Sequence, residues 1–104
     1  MLKIYGVMLQ VLRDVKPALG QIEKYDSDLA RQMRRAAPSV VLNLAEGSGS
    51  TGGVRRVRYK TALGSAREVS ACLDVAEAFG YGAVGGSVRD RLRQVQATLV
   101  RVLA

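Results

Sequence analysis

Gln32-Met33-Arg34-Arg35-Ala36-Ala37, then Asn43-Leu44-Ala45-Glu46-Gly47, a glycine-rich gap, and Ala62-Leu63-Gly64-Ser65 form the stretch whose reading decides the fold. In its first half Leu29, Met33, Ala36, Ala37, Val40, Val41 and Leu44 recur three and four residues apart, which puts them on one face of a helix. In its second half Val54, Val57, Ala62, Ala66, Val69, Leu73 and Ala76 recur at helical spacing, with Phe79 closing the block. Between the halves, Ser48-Gly49-Ser50-Thr51-Gly52-Gly53 reads as a loop. The stretch is therefore two long helices with small residues on their packing faces and arginines on their outer sides.

The flanks extend the pattern. Ile4, Val7, Met8, Val11, Leu12, Val15 and Leu19 make an earlier helical block, and Val84, Val88, Leu92, Val95, Leu99 and Val102 a later one. Strict alternation is absent, so the chain reads as all-α. Gly20 follows the first block, while Asp26, Ser27 or Asp28 can cap the second. Gly80-Tyr81-Gly82 ends the third block, and Gly85-Gly86-Ser87 blurs the start of the fourth. Such short connections favour antiparallel neighbours, hence one up-down-up-down four-helix bundle over residues 1–104. Two prolines interrupt it. Pro17 removes a hydrogen bond to the carbonyl of Arg13 and Pro38 one to that of Arg34. Apolar spacing continues in phase past Pro38, which predicts a kink; at Pro17 the helix can end early.

At 104 residues the chain holds one core and is marginal as a monomer. Sixteen Lys and Arg against nine Asp and Glu give a net charge of +7, which suits an anionic partner but does not name it. Without histidine, the commonest general base and metal ligand is missing. One cysteine, Cys72, excludes an intrachain disulfide and fits a reducing compartment. It falls beside the apolar seam and reads as a buried, inert thiol. No segment approaches the roughly 20 apolar residues of a membrane span, and no signal peptide is recognisable. The expectation is a cytoplasmic protein with no membrane association.

Arg31, Arg35, Ser39, Asn43 and Glu46 form a polar stripe opposite the apolar one. Asn43 and Glu46 stand in an apolar section, where a lone carboxylate is costly, so Glu46 is expected to pair with an arginine of another helix or subunit. With no histidine, second acid or nucleophile beside it, it does not make a catalytic site, and no cofactor or metal is expected. Residues 54–67 carry Arg55, Arg56, Arg58, Lys60 and Arg67 and no acid. With Arg31, Arg34 and Arg35 of the neighbouring helix they are expected to form the densest positive region. Two readings stand side by side: a phosphate-backbone track, or a solubilising face with intersubunit salt bridges. Arg55, Arg56 and Arg58 lie off the apolar seam and are expected to be replaceable without unfolding the chain. The glycine-rich loop lacks the Gly-Lys-Ser/Thr ending of a P-loop. Small residues around Gly64 and Ser65 suit close helix packing or subunit contact. Tyr5, Tyr25, Tyr59 and Tyr81 are scattered and give no platform for stacking bases.

From Asp26 to Tyr81 the ordered set Gln32, Arg34-Arg35-Ala36-Ala37, Ser39, Asn43, Ala45-Glu46-Gly47, Ala62-Leu63-Gly64-Ser65 and Gly80-Tyr81 resembles a family of small bacterial four-helix bundles. They are encoded in intervening sequences of large-subunit ribosomal RNA genes or as free-standing genes, and are related to the accessory protein of diversity-generating retroelements. There are departures: Pro38 lies one turn before the family's usual proline, at the position of Val41; the aromatic-rich opening is absent; Arg67 beside Glu68 is unusual. The resemblance implies rings, commonly pentamers, with Arg35, Asn43, Glu46, Gly47, Gly64 and Ser65 as motif or subunit-contact residues. It also implies RNA or DNA, and a reverse transcriptase or other protein, as partners. The resulting expectation is a non-catalytic homo-oligomer contacting nucleic-acid backbone through Arg31, Arg34, Arg35, Arg55, Arg56, Arg58 and Lys60. The competing expectation is a structural or adaptor oligomer whose partner is a protein.

Overall fold

The computed structural model describes residues 2–104 and, among them, five α-helices and no strand. They are α1 (Ile4–Asp14), α2 (Lys16–Tyr25), α3 (Ser27–Ser48), α4 (Gly52–Ala78) and α5 (Gly86–Leu103). The four apolar blocks are helical except for Val15, between α1 and α2, and for Phe79 and Val84, which lie in the α4–α5 link. The expected count of four helices is corrected to five among the described residues, because the first block is two. Pro17 is the cause. It sits in the first turn of α2, where a missing N–H costs nothing, and it leaves the carbonyl of Arg13 without its helical partner. Val15 ends one helix and begins the next: its N–H reaches Val11 O at 2.9 Å and its own carbonyl accepts from Leu19 at 2.9 Å.

Asp26 sets the start of α3. Its backbone is extended (φ −154°, ψ 94°) and its carboxylate accepts from the Leu29 N–H at 3.0 Å. The helix then continues through Pro38. Val40, Val41 and Leu44 beyond it are buried in phase with Ala30, Met33 and Ala37 before it, so packing offsets the lost hydrogen bond. The following loop is shorter than Ser48–Gly53: Ser48 closes α3 and Gly52 and Gly53 open α4, leaving residues 49–51 as the link.

Side-chain contacts between α3 and α4 step in opposite directions, Ser39 to Ser65 and Glu46 to Arg58, so the two helices are antiparallel. Small residues make their packing close. Ala36, Ala37 and Val40 on α3 and Ala62, Ala66 and Val69 on α4 are all buried in the one core. Gly47 admits the Tyr59 ring, which is 5% exposed. The turn after α4 closes with Gly80 at φ +74°; Tyr81 N–H bonds to Ala76 O at 2.8 Å and Gly80 N–H to Glu77 O at 3.0 Å. This is a Schellman ending, and its left-handed residue favours glycine. Arg89 fastens the start of α5, donating to Asp74 at 2.6 Å and Glu77 at 3.2 Å. Arg91 of α5 pairs with Asp14 of α1 at 3.0 Å, and Arg34 of α3 with Glu23 of α2 at 2.9 Å. Ile4, Met8, Ile22, Met33, Leu44, Leu92 and Leu99 fill the centre.

Four expected core positions are exposed: Val54 (59%), Val57 (61%), Phe79 (70%) and Val102 (44%). On α4, Tyr59 takes the inward place. Two residues on, it stands about 200° round the helix from Val57, so the two cannot share a face.

A Cβ on Gly47 would strike Cε1 and Cδ1 of Tyr59. Gly47→Ala should therefore lower stability by about 1–3 kcal/mol through overpacking, despite alanine's helix preference of about 1 kcal/mol. Gly6→Ala, with nothing near its added carbon, should not. Urea denaturation checks both; a Gly47→Ala midpoint at or above that of the parent would contradict the packing.

Candidate functional site

The basic residues at the start of α4 are caps as well as charges. Arg55 Nε donates to the Gly47 carbonyl at 3.1 Å and its Nη2 to that of Ser48 at 3.5 Å. Arg56 Nη1 donates to the Leu103 carbonyl at 2.7 Å. Two arginines thus satisfy C-terminal carbonyls of α3 and α5, where a positive charge also complements the helix dipole. Arg58 pairs with Glu46 at 3.0 Å. Each of the three ties α4 to a neighbour, so replacing them removes contacts at the surface while leaving the apolar seam untouched. Lys60 is exposed and makes no contact of this kind.

Arg31, Arg34 and Arg35 do not join this cluster. The antiparallel register sets Glu46 beside Arg58 and Ser39 beside Ser65, so Arg35 falls roughly 11 α4 residues, or about 16 Å, from the level of Arg58. Arg31 pairs with Asp28, and Arg34 with Glu23. By the same register Arg35 lies within about two residues of the level of Arg67, so the positive residues spread along the pair rather than gathering at the start of α4.

Seven of the nine acids are held by six arginines, and Asp26 caps α3. The surplus positive charge therefore belongs to cations without an acid, and Arg55, Arg56, Lys60 and Arg67 concentrate it on α4. At 100° per residue, Arg56, Lys60 and Arg67 lie within about 40° of one another, a stripe along one edge of the helix.

The motif residues divide between the two sides of the α3–α4 pair: Ala36, Ala37, Gly47, Ala62 and Leu63 are buried, whereas Ser39, Asn43 and Ser65 meet nearer the surface. Ser39 and Ser65 hydroxyls meet at 2.8 Å, and Asn43 Nδ2 donates to Ser39 O at 2.9 Å and Ser39 Oγ at 3.2 Å. Gln32, Arg35, Ala36, Ser39, Ser65 and Glu68 line a groove of about 360 Å³. Glu46 pairs across helices, but the reason differs from the one expected: its side chain is 56% exposed, and such a pair contributes about 0–1 kcal/mol. Gly47 is buried within the chain, against Tyr59, whereas Gly64 is open to solvent.

A second seam, hidden in the sequence reading, runs along α4. Val54, Val57, Thr61, Gly64, Glu68, Ala71, Val75 and Ala78 are all exposed and step alternately by three and four. That is a heptad period on the face opposite the core. Helical spacing alone groups Val54 and Val57 with the inner face; what separates them is that α4 carries apolar residues on two sides.

The aromatic residues also differ from expectation. Tyr25, Tyr81 and Phe79 stack, with ring centroids 5.2 and 5.4 Å apart and planes inclined by 6° and 14°. This ladder joins the end of α2 to the α4–α5 turn, at the opposite end of α4 from Arg55. Among the described residues no cluster of His, Cys, Asp or Glu could hold a metal, and no helix is long and apolar enough to cross a membrane.

Cys72 is buried, and desolvation, with a smaller push from Glu68, raises its thiol above the ordinary 9.0. The sign follows. A raised folded-state value stabilises the protein below the thiol's ordinary value, and that contribution is lost as pH rises through the folded one. At neutral pH, Cys72 should react with a disulfide reagent only as fast as the protein opens, and stability should fall as pH climbs past 9.0. Absorbance of the released chromophore reads the first and urea titration across pH the second; immediate labelling of the folded protein would contradict burial.

No curated protein and no solved structure matches this chain. A family model does, over residues 2–101. The match takes in all the motif residues of the α3–α4 pair and reaches well beyond the stretch Asp26–Tyr81, to both flanking blocks. The chain belongs to the 23S rRNA-intervening sequence protein family.

Proposed function

We propose that this protein is a non-catalytic homo-oligomer that binds the phosphate backbone of RNA or DNA in the cytoplasm. In this reading α1 and α2 serve as one broken arm, so that the chain works as an antiparallel four-layered bundle. One observation carries the binding claim: positive charge without acid partners concentrates on α4, at Arg55, Arg56, Lys60 and Arg67. Arg55 and Arg56 are spent on carbonyls, which leave their charge uncancelled, and arginine's planar fork suits phosphate. No base-reading group accompanies them, so the binding proposed is insensitive to sequence.

The oligomer is supported by the outer seam of α4. A helix with a core face and a second face of Val54, Val57, Gly64, Ala71 and Val75 exposes apolar surface that another subunit can cover. Leu42, 61% exposed, adds to the apolar surface of α3. The charged members of the adjacent groove, Arg35 and Glu68, form no ion pair among the described residues and are complementary in sign.

Both claims are separable by experiment. Lys60 and Arg67 have no ion-pair or hydrogen-bond partner among the described residues, so the double change Lys60→Ala/Arg67→Ala should leave the fold and the assembly intact. It should weaken RNA and DNA binding alike and flatten the slope of log K against log salt by about 1.4–1.8. Absence of binding to either polymer at low salt would refute the claim. An added side chain at Gly64 meets nothing within 4 Å in the chain. Gly64→Leu should therefore preserve helicity while dissociating the oligomer in sedimentation equilibrium. A parent protein that sediments as a stable monomer at micromolar concentration, or a Gly64→Leu variant of unchanged mass, would contradict the seam.

A further inference from the structure

We propose that the groove between the α1–α2 junction and α3 receives an acidic amphipathic helix from a partner protein, at a site separate from the basic face of α4 and independent of nucleic-acid binding. Its floor is apolar: Leu12, Val15 and Leu19 on one wall, Ala37 and Pro38 on the other. Its rim is cationic, with Arg13, Lys16 and Arg34. The space is about 340 Å³.

Both prolines build this groove. Pro17 breaks α1 from α2 at Val15 and so turns Leu12 and Leu19, each half-buried, along one side. Pro38 stands in the opposite wall. Neither proline can return an N–H to the residue four before it, and those residues are Arg13 and Arg34, both on the rim. The interruptions thus converge on one surface.

Shape and charge narrow the occupant. From Leu12 to Leu19 the groove runs about 10 Å, which accommodates two apolar side chains one helical turn apart. An apolar floor offers nothing to a phosphate backbone, whereas a helix laid in a groove buries such anchors. The rim selects their flanks. Arg13 is bonded only to Gln10, at 3.2 Å, and Lys16 has no partner, so neither is neutralised. Arg34 holds the partly exposed Glu23, which does not line the groove and which an incoming carboxylate would replace. Complementary carboxylates beside apolar anchors therefore define the ligand.

The test uses the full protein and fluorescein-labelled peptides of about 18 residues, long enough to hold a helix. One carries leucines one turn apart flanked by glutamates. A second replaces glutamate by lysine, and a third keeps the glutamates but replaces leucine by serine. Fluorescence anisotropy should show binding of the first alone. Arg13→Glu/Lys16→Glu, which alters two exposed residues and leaves Leu12, Val15 and Leu19 in place, should weaken it by roughly tenfold or more and admit the lysine peptide. Circular dichroism of that variant should be unchanged. Four results would overturn the proposal. Equal binding of the serine peptide would mean diffuse charge attraction, and undiminished binding by the double variant would place the peptide elsewhere. Displacement by dodecanoate of a probe the acidic peptide cannot displace would make the groove a lipid site. A change of oligomer mass in the double variant, with no peptide binding by the parent, would make it a subunit contact.

Discussion

Close antiparallel approach of α3 and α4 is the constraint on which the other features depend. A link of only three residues, 49–51, leaves the helices little freedom to diverge. Alanines at 36, 37, 62 and 66 then let their backbones approach, and Gly47 makes room for Tyr59 at the tight end. Larger side chains there would push α4 outward. The register would change with it, and Glu46–Arg58, Ser39–Ser65 and the Arg55 contacts to the last carbonyls of α3 would be lost together. The remaining helices dress this pair. Arg89, Arg91 and Arg34 fasten α5 to α4, α5 to α1 and α2 to α3 through ion pairs that are partly exposed, so they specify arrangement more than they stabilise it.

This arrangement gives α4 two roles. Its inner face supplies Tyr59, Ala62, Ala66, Val69, Leu73 and Ala76 to the core. Its outer face repeats small and β-branched residues with a heptad period, and its α5-side edge bears Arg56, Lys60 and Arg67. Arginine near a helix N-terminus is electrostatically unfavourable in isolation. Here the antiparallel neighbours bring the C-termini of α3 and α5 to the same end, and Arg55 and Arg56 cap them. The arginines are accommodated by the fold and still carry net charge into solvent. Structural and electrostatic readings of this cluster are therefore compatible rather than exclusive.

Helical class and the helical character of the four apolar blocks were legible in sequence because periodicity reports a buried face directly, but the break at Val15 and the start of α5 at Gly86, beyond Val84, were not. Asp26 as a cap and Gly80 as a terminator were legible for the same local reason: each satisfies helix-end groups within a few residues. Features that depend on register were not. Nothing local says that Arg35 and Arg58 stand about 16 Å apart along the pair, or that Tyr25 at the end of α2 stacks on Tyr81 in the distant α4–α5 turn. Val54 and Val57 were assigned to the wrong side because an apolar residue facing solvent and one facing the core look alike when a helix has two apolar faces. Glu46 was correctly expected to find an arginine on another helix, yet burial was the wrong reason; the end of α3 is open, and only the partner's position was right. Pro17 could be read as a break or a kink from local chemistry alone, and the choice fell to Val15, whose burial fixes the junction.

If the α3–α4 pair is the spine, it must be the last part of the molecule to open. Native-state hydrogen exchange followed residue by residue tests this most directly. The account requires the slowest amides to cluster in the middle of both helices, around Met33–Val41 and Ala62–Leu73, and to exchange with the free energy of global unfolding. Amides flanking Val15 at the α1–α2 junction should exchange through a smaller, local opening. Slowest exchange in α1 and α5, with the centres of α3 and α4 opening earlier, would contradict it.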